Sequence, residues 1–323
     1  MKLFFNAIAL NDEKLMGGGE NVSKNFLQNN GYIKNSFVSL FSAKKENPDI
    51  EVALFINFNM PEQYKKIFQE NDIQIYNLSF DEYKFPDKMK WSLAFYKLCA
   101  LKYAVTELDF DSYCMVDTDT LCQRSLEELW KECEQNILLY DMQHSLDIEQ
   151  AVQMNKEYLQ LVGVQRNLTN YGGEFIAGSR NQLRQFIQKC DFYYQKMLQE
   201  KLYTKHGDEF LICCAAEDKE IKVMLKPANA YIYRFWTSRF YLISTNYIYN
   251  PVTILHLPDE KNRGMICLYN YVMRHHSLPK GNKLFSMINL PRKKGRILIS
   301  LQCWRHIIHI KLLNAFLMKK IKR

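Results

Sequence analysis

Short apolar runs alternate with helical patterns through the first 120 residues, and this alternation narrows the fold more than any other feature of the chain. Residues 3–9 read as a buried strand, 33–46 as a helix ending near Pro48, and 50–56 as a second strand. Residues 61–70 read as a helix with proline in its first turn, and 73–76 as a short strand. A long helix is expected from Met89 to about Glu107, because Trp91, Ala94, Phe95, Leu98, Leu101 and Val105 recur at helical spacing. The apolar run Tyr113-Cys114-Met115-Val116 then stops at Asp117-Thr118-Asp119. This order is the pattern of an α/β fold: a Rossmann-like, mixed but mostly parallel sheet flanked by helices.

The stop at Asp117 matters because a buried strand ends at the carboxyl edge of its sheet, where open α/β folds put their ligands. The chain turns there, so both carboxylates can converge on one hard cation such as Mg²⁺ or Mn²⁺, with a diphosphate supplying further oxygens. A lone D-x-D at a strand end is more often a turn and a helix cap, so the rest of the chain must decide.

Beyond it, Ser125 and Glu128 suggest a capping box on a helix to about Cys133. Residues 136–140 read as a strand and 147–161 as a helix. Phe175-Ile176-Ala177 reads as a short strand framed by glycines. Helices are expected over 181–201 and 208–217, short strands over 221–225, 229–235 and 252–255, and further helices over 263–276 and 296–319. Residues 11–20, with Gly17-Gly18-Gly19, read as a mobile loop.

The chain has 323 residues, 47% of them hydrophobic, which is enough for one large α/β domain with an appendage. Twelve glycines and eight prolines exclude collagenous and disordered classes. Nine cysteines without a C-x-x-C pair, mostly in apolar surroundings, read as reduced core thiols of a cytoplasmic protein. Residues 1–10 read as the first strand and not as a signal peptide, and no run reaches the ~18 apolar residues of a membrane span.

Four features then line up in order: Asp117-Thr118-Asp119, Tyr171-Gly172-Gly173-Glu174-Phe175-Ile176-Ala177-Gly178, His206-Gly207-Asp208-Glu209-Phe210-Leu211, and Ile254-Leu255-His256-Leu257 trailed by Lys261, Arg263 and Gly264. Over roughly residues 2–265 the chain resembles GT-A glycosyltransferases, nearest to bacterial enzymes that build capsular, exopolysaccharide or lipopolysaccharide glycans and distantly like the glycogenin branch. The resemblance implies Mn²⁺ or Mg²⁺ held by Asp117, Asp119 and His256, and a nucleotide-sugar donor, most simply UDP-linked. The metal would stabilise the charge growing on the diphosphate leaving group. Phe4, Asn6, Ala7, Lys97, Asp117, Gly172 and Gly173 would contact the donor, and Glu174, Asp208 and Glu209 would serve the sugar or acceptor, Asp208 ahead of Glu209. The chain departs from the glycogenin-like pattern in having Gly207-Asp208-Glu209 for D-Q-D and in lacking a Lys-Pro-Trp after His256. Two rival readings are a haloacid-dehalogenase-type phosphatase, with Asp117 as nucleophile and Asp119 as general acid, and a non-catalytic glycan- or membrane-binding protein on the same fold.

Charge is segregated along the chain. Residues 261–323 hold 15 basic and no acidic residues, a charge of +15, while the preceding body is −7. The division drawn from this is a catalytic domain over 1–265 and a basic, amphipathic helical extension over 266–323. Apolar residues from Ile297 to Leu317, ending in Lys319-Lys320-Ile321-Lys322-Arg323, suit the anionic inner face of a cell membrane, where the lipid-linked or growing glycan acceptor would be found. Packing on the catalytic domain or in a homodimer is the plainer use of such a helix. No nucleic-acid motif accompanies the charge.

Overall fold

In the computed structural model, residues 1–10, 30–85, 89, 91–142, 148–237 and 252–290 are described, with Trp304, Arg305 and Ile308. The loop expected at 11–20 and most of the helix expected at 296–319 lie outside them.

The strand β1 (Lys2–Ile8) leads to helix α1 (Gly31–Glu46), β2 (Glu51–Ile56), α2 (Glu62–Gln69), β3 (Ile73–Asn77), α3 (Tyr96–Glu107) and β4 (Ser112–Val116). These are followed by β5 (Thr120–Cys122), α4 (Glu127–Cys133), β6 (Ile137–Asp141), α5 (Ile148–Val162), β7 (Tyr171–Ser179), α6 (Arg180–Gln199), α7 (Asp208–Ala216) and α8 (Lys219–Lys222). The series closes with β8 (Leu225–Pro227), β9 (Ile232–Arg234), β10 (Ile254–His256), α9 (Gly264–His275) and α10 (Gly281–Met287).

Seven strands form the main sheet in the order β3-β2-β1-β4-β7-β6-β8, and β5-β10-β9 form a small second sheet. The β1–β2, β2–β3, β1–β4 and β6–β8 pairs are parallel, whereas β7 runs antiparallel to both neighbours. Helices cover both faces, which explains why β1 and β4 are apolar at successive positions instead of alternating. Phe4 and Ile8 enter one core with α1, and Leu3 and Phe5 enter the other with α3 and α6.

Helices α9 and α10 complete the first core. Met265, Leu268, Val272, Leu284 and Ile288 are buried there, and Tyr269 meets Phe37 edge-on at 5.7 Å. No helix among the described residues is long and apolar enough to cross a membrane.

Local differences from the expected elements have physical causes. Trp91 adopts a left-handed backbone (φ 61°) and a 3-10 turn spans Ser92–Phe95, so α3 begins only at Tyr96. Leu126, not Ser125, precedes α4; the capping box lies instead at Ser179 and Gln182, before α6. The expected strand over 221–225 is replaced by α8, which Asp218 caps by accepting the N–H of Glu220, and β8 follows it. The strand expected at 175–177 extends over nine residues, because Gly172 and Gly173 lie within it and do not end it.

Candidate metal and nucleotide-sugar site

The turn after β4 is fastened from four directions. Asn6, at the end of β1, donates to the carbonyl of Val116 at 2.9 Å and that of Asp117 at 3.3 Å. The Thr120 hydroxyl donates to the Asp117 carbonyl at 2.9 Å and lies 2.7 Å from the Ser39 hydroxyl on α1. The N–H of Asp117 donates to the carbonyl of Glu174 on β7 at 3.0 Å, and Leu257 donates its N–H to the Asp119 carbonyl at 2.9 Å. The backbone around both carboxylates is therefore set before any ligand arrives.

Asp117, Asp119 and His256 each offer a ligand atom within 4.8 Å of the others, the one such group of three found among the described residues. His256 Nε2 lies 3.3 Å from Asp119 Oδ2 and 3.9 Å from Asp117 Oδ2. Asp119 is fully buried; its Oδ1 meets no hydrogen-bond donor, and its Oδ2 is met only through ion pairs with His256 and Lys261. A buried carboxylate with one oxygen unmatched keeps lone pairs to offer a further cation. An oxygen–oxygen–imidazole set suits a hard or borderline divalent cation.

Around this set stand three largely buried cations. Lys261 Nζ is 3.4 Å from Asp119 Oδ2. Lys97 bridges Asp117 Oδ1 (3.1 Å) and Asp208 Oδ2 (3.0 Å) and donates to the Gly173 carbonyl at 2.8 Å. Arg234 grips both oxygens of Glu174 at 2.6 Å and reaches Glu209 at 3.5 Å. Five carboxyl groups thus face three permanent cations, so the site can take further positive charge.

The protonation states follow from these neighbours. Burial would raise the Asp119 carboxyl, but Lys261 and His256 outweigh it and hold the acid far below the usual carboxylate range. Glu174 is held down likewise, by Arg234 and His256 against its burial. Burial would lower His256, but Asp119 and Glu174 raise it to about 9. A proton on His256 therefore stands where a cation would bind, and metal binding must release it. Burial raises both Asp208 and Glu209, the latter to about 7.

Two glycines are demanded by this crowding. A Cβ on Gly173 would strike the Asp208 carboxylate and come within 2.9 Å of Lys97 Nζ. Gly207 sits at φ 61°, ψ −144°, where side chains are disfavoured, and a Cβ there would lie 2.8 Å from that of Trp91.

The residues singled out in the sequence are brought together, with several differences of role. Phe4 is fully buried in the α1-side core, Asn6 supports the Asp117 turn, and Ala7 is half-buried on the opposite face. Glu174 is 1% exposed, and its carboxylate is turned to Arg234 and His256. Asp208 is closed off by Lys97, whereas the Glu209 side chain is 29% exposed. Arg234 went unnoticed in the sequence. An arginine in the short apolar run Tyr231-Ile232-Tyr233-Arg234-Phe235 needs a buried acid partner, and that was the available signal.

Glu209 gives a pH dependence that can be checked without substrate. A carboxyl raised from 4.5 to about 7 contributes stability that is present below pH 4.5 and lost as pH rises through 7. In metal-free buffer, Glu209→Gln is expected to gain about 1–3 kcal/mol on wild type between pH 5 and pH 8. Urea unfolding at both pH values reads this, and a constant difference would contradict it.

No protein-family model and no curated protein matches the sequence. Among solved structures, galactosyltransferase LgtC in complex with donor and acceptor sugar analogues is similar over 89% of this chain and 100% of its own, at 15% identity and a TM-score of 0.53. An active-site mutant of LgtC covers 79% of this chain and 86% of its own, at 15% identity and a TM-score of 0.49. Mouse xyloside xylosyltransferase 1 covers 79% and 97%, at 10% identity and a TM-score of 0.49. Together with the strand order and the placement of Asp117 at the carboxyl edge of β4, the LgtC complex identifies the architecture: the chain adopts the GT-A glycosyltransferase fold.

Proposed function

We propose that this protein is a metal-dependent glycosyltransferase that moves a sugar from a nucleotide donor, UDP-linked in the simplest case, to a growing capsular, exopolysaccharide or lipopolysaccharide glycan. The observation that carries the reading is the Asp117–Asp119–His256 set, whose buried Asp119 keeps Oδ1 without a hydrogen-bond donor, at the carboxyl edge of a GT-A sheet. Those three residues would hold Mn²⁺ or Mg²⁺, which supplies Lewis-acid stabilisation of the departing diphosphate. Lys97, one link away through Asp117, adds positive charge on the donor side. Gly172 and Gly173 serve the donor site indirectly, by leaving room for the Glu174 and Asp208 carboxylates and the Arg234 and Lys97 cations beside them. Glu209, accessible and poised near neutrality, is the better placed of the two helix-leading acids to face the acceptor and take a proton. Asp208 instead anchors Lys97.

The phosphatase alternative requires Asp119 to donate a proton. His256 and Lys261 hold that carboxyl ionised, which disfavours it. The direct test of the proposal is calorimetry of UDP with and without Mn²⁺ on the wild-type protein. Manganese-dependent UDP binding is expected; absence of binding to UDP and to other nucleoside diphosphates would sink the proposal.

The protein would work on the inner face of the membrane, held peripherally by its basic C-terminal stretch. Leu284, Ile288 and Leu290 are buried in the α1-side core, so the clean truncation point lies after residue 290. Deleting 291–323 is expected to release the protein from vesicles containing anionic lipid in a flotation assay while UDP binding is kept. Continued flotation with the vesicles would place the anchor elsewhere.

A further inference from the structure

We infer that Glu174 and Arg234 form a positioning pair for the metal site, Glu174 fixing the ring of His256 and Arg234 fixing Glu174. This rests on the metal-site reading given above. Glu174 Oε1 lies 3.3 Å from His256 Nδ1, within ion-pair range though not aligned as a hydrogen bond, while Nε2 on the other side of the ring faces Asp119 and Asp117 at 3.3 and 3.9 Å. A carboxylate beside one imidazole nitrogen keeps the proton there and leaves the other nitrogen's lone pair for a cation. The glutamate cannot rotate away. Nε and Nη2 of Arg234 donate to its two oxygens, both at 2.6 Å, in the bidentate fork that fixes a carboxylate plane. Arg234 is itself fixed: its N–H donates to the Tyr140 hydroxyl at 3.2 Å, and its guanidinium lies 5.9 Å from the ring centres of both Tyr140 and Trp236.

The backbone is shaped for this pair. Between β6 and β7 the register runs from Leu139↔Ile176 directly to Tyr140↔Gly172, so Gly173, Glu174 and Phe175 have no partner on β6. Such a bulge re-aims a side chain, and here the side chain is Glu174. Gly172 must lack a Cβ, because one would collide with the Glu174 carboxylate and lie 2.9 Å from Arg234 Nη2. The Arg234 guanidinium also touches Glu209, so one cation joins the outer shell of the metal set to the acceptor-side acid.

A merely structural ion pair would look similar, and the test must separate the two. Mn²⁺ affinity is measured by calorimetry with neither nucleotide nor sugar present, on wild type, Glu174→Gln, the double variant Glu174→Gln/Arg234→Met, and Asp119→Asn. The double variant removes both buried charges together and so avoids stranding the arginine. Both Glu174 variants are expected to bind Mn²⁺ about 10–100-fold more weakly, and Asp119→Asn to lose binding. Wild-type Mn²⁺ affinity in the folded double variant, even with a shifted Tm, would overturn the positioning role while leaving the metal site intact. Failure of the wild type to bind Mn²⁺ would overturn the metal site itself.

Discussion

Asp119→Asn is expected to lower nucleotide-sugar turnover by about 10²–10³-fold and to abolish its dependence on manganese. Asparagine keeps the size and backbone contacts of the residue, including the N–H of Leu257 on the Asp119 carbonyl, but removes the charge that His256 and Lys261 face. The same change alters the pH dependence of the metal-free protein. His256 is raised to about 9, so its ion pairs contribute stability that is whole below pH 6.5 and lost as pH rises through 9. In Asp119→Asn that loss should shrink, because the principal acid holding the imidazolium is gone. Turnover with and without Mn²⁺, paired with urea unfolding at pH 6 and pH 9, reads both effects. Full manganese-stimulated turnover in the variant would remove Asp119 from the metal set.

Lys97→Met should be the most damaging substitution for stability in the site. Lys97 is 14% exposed, and it separates Asp117 from the 5%-exposed Asp208. Methionine fills much the same volume but leaves two carboxylates facing each other without a cation. Breaking one partner from a buried pair costs about 3–5 kcal/mol. Asp208 is already raised by its burial and would rise further without Lys97, so the loss should be greater at pH 8 than at pH 5, where it can take up a proton. Adding Asp208→Asn should restore much of the stability at pH 8. Equal losses at both pH values, or no rescue, would show that Lys97 acts through packing alone.

The features legible in the sequence were those that depend on local periodicity. The βα alternation to Val116, the apolar content of β1 and β4, and the abrupt stop at Asp117 follow from burial on both faces of a sheet, and each is visible one residue at a time. The short elements were less legible. Lys219–Lys222 forms a turn of helix because Asp218 caps it, although Ile221 and Val223 suggest a strand. The site divides in the same way. Asp117, Asp119 and His256 announce themselves by chemistry and order, whereas the roles of Glu174, Asp208 and Glu209 depend on which cation each one meets. Those cations, Arg234 and Lys97, come from elements far along the chain from Glu174 and Asp208, and no spacing rule connects them. The sequence places Asp208 ahead of Glu209, and their different exposures, 5% and 29%, come from packing that no local pattern encodes.

The slip between β6 and β7 has a consequence for how this protein can change over time. Strand β7 keeps an unbroken register with β4 from Ser112↔Ser179 to Val116↔Phe175, yet loses step with β6 opposite Glu174. Shifts of β8, at the outer edge of the sheet, can therefore be absorbed at the slip before they reach β4 and its carboxylates. The outermost strand, β8, is the part of that margin free to drift, whereas β6 is tied to the site through Tyr140, which holds Arg234. A lineage built on this arrangement could vary its outermost strand and still keep the same ion-binding geometry, provided that Tyr140 stays.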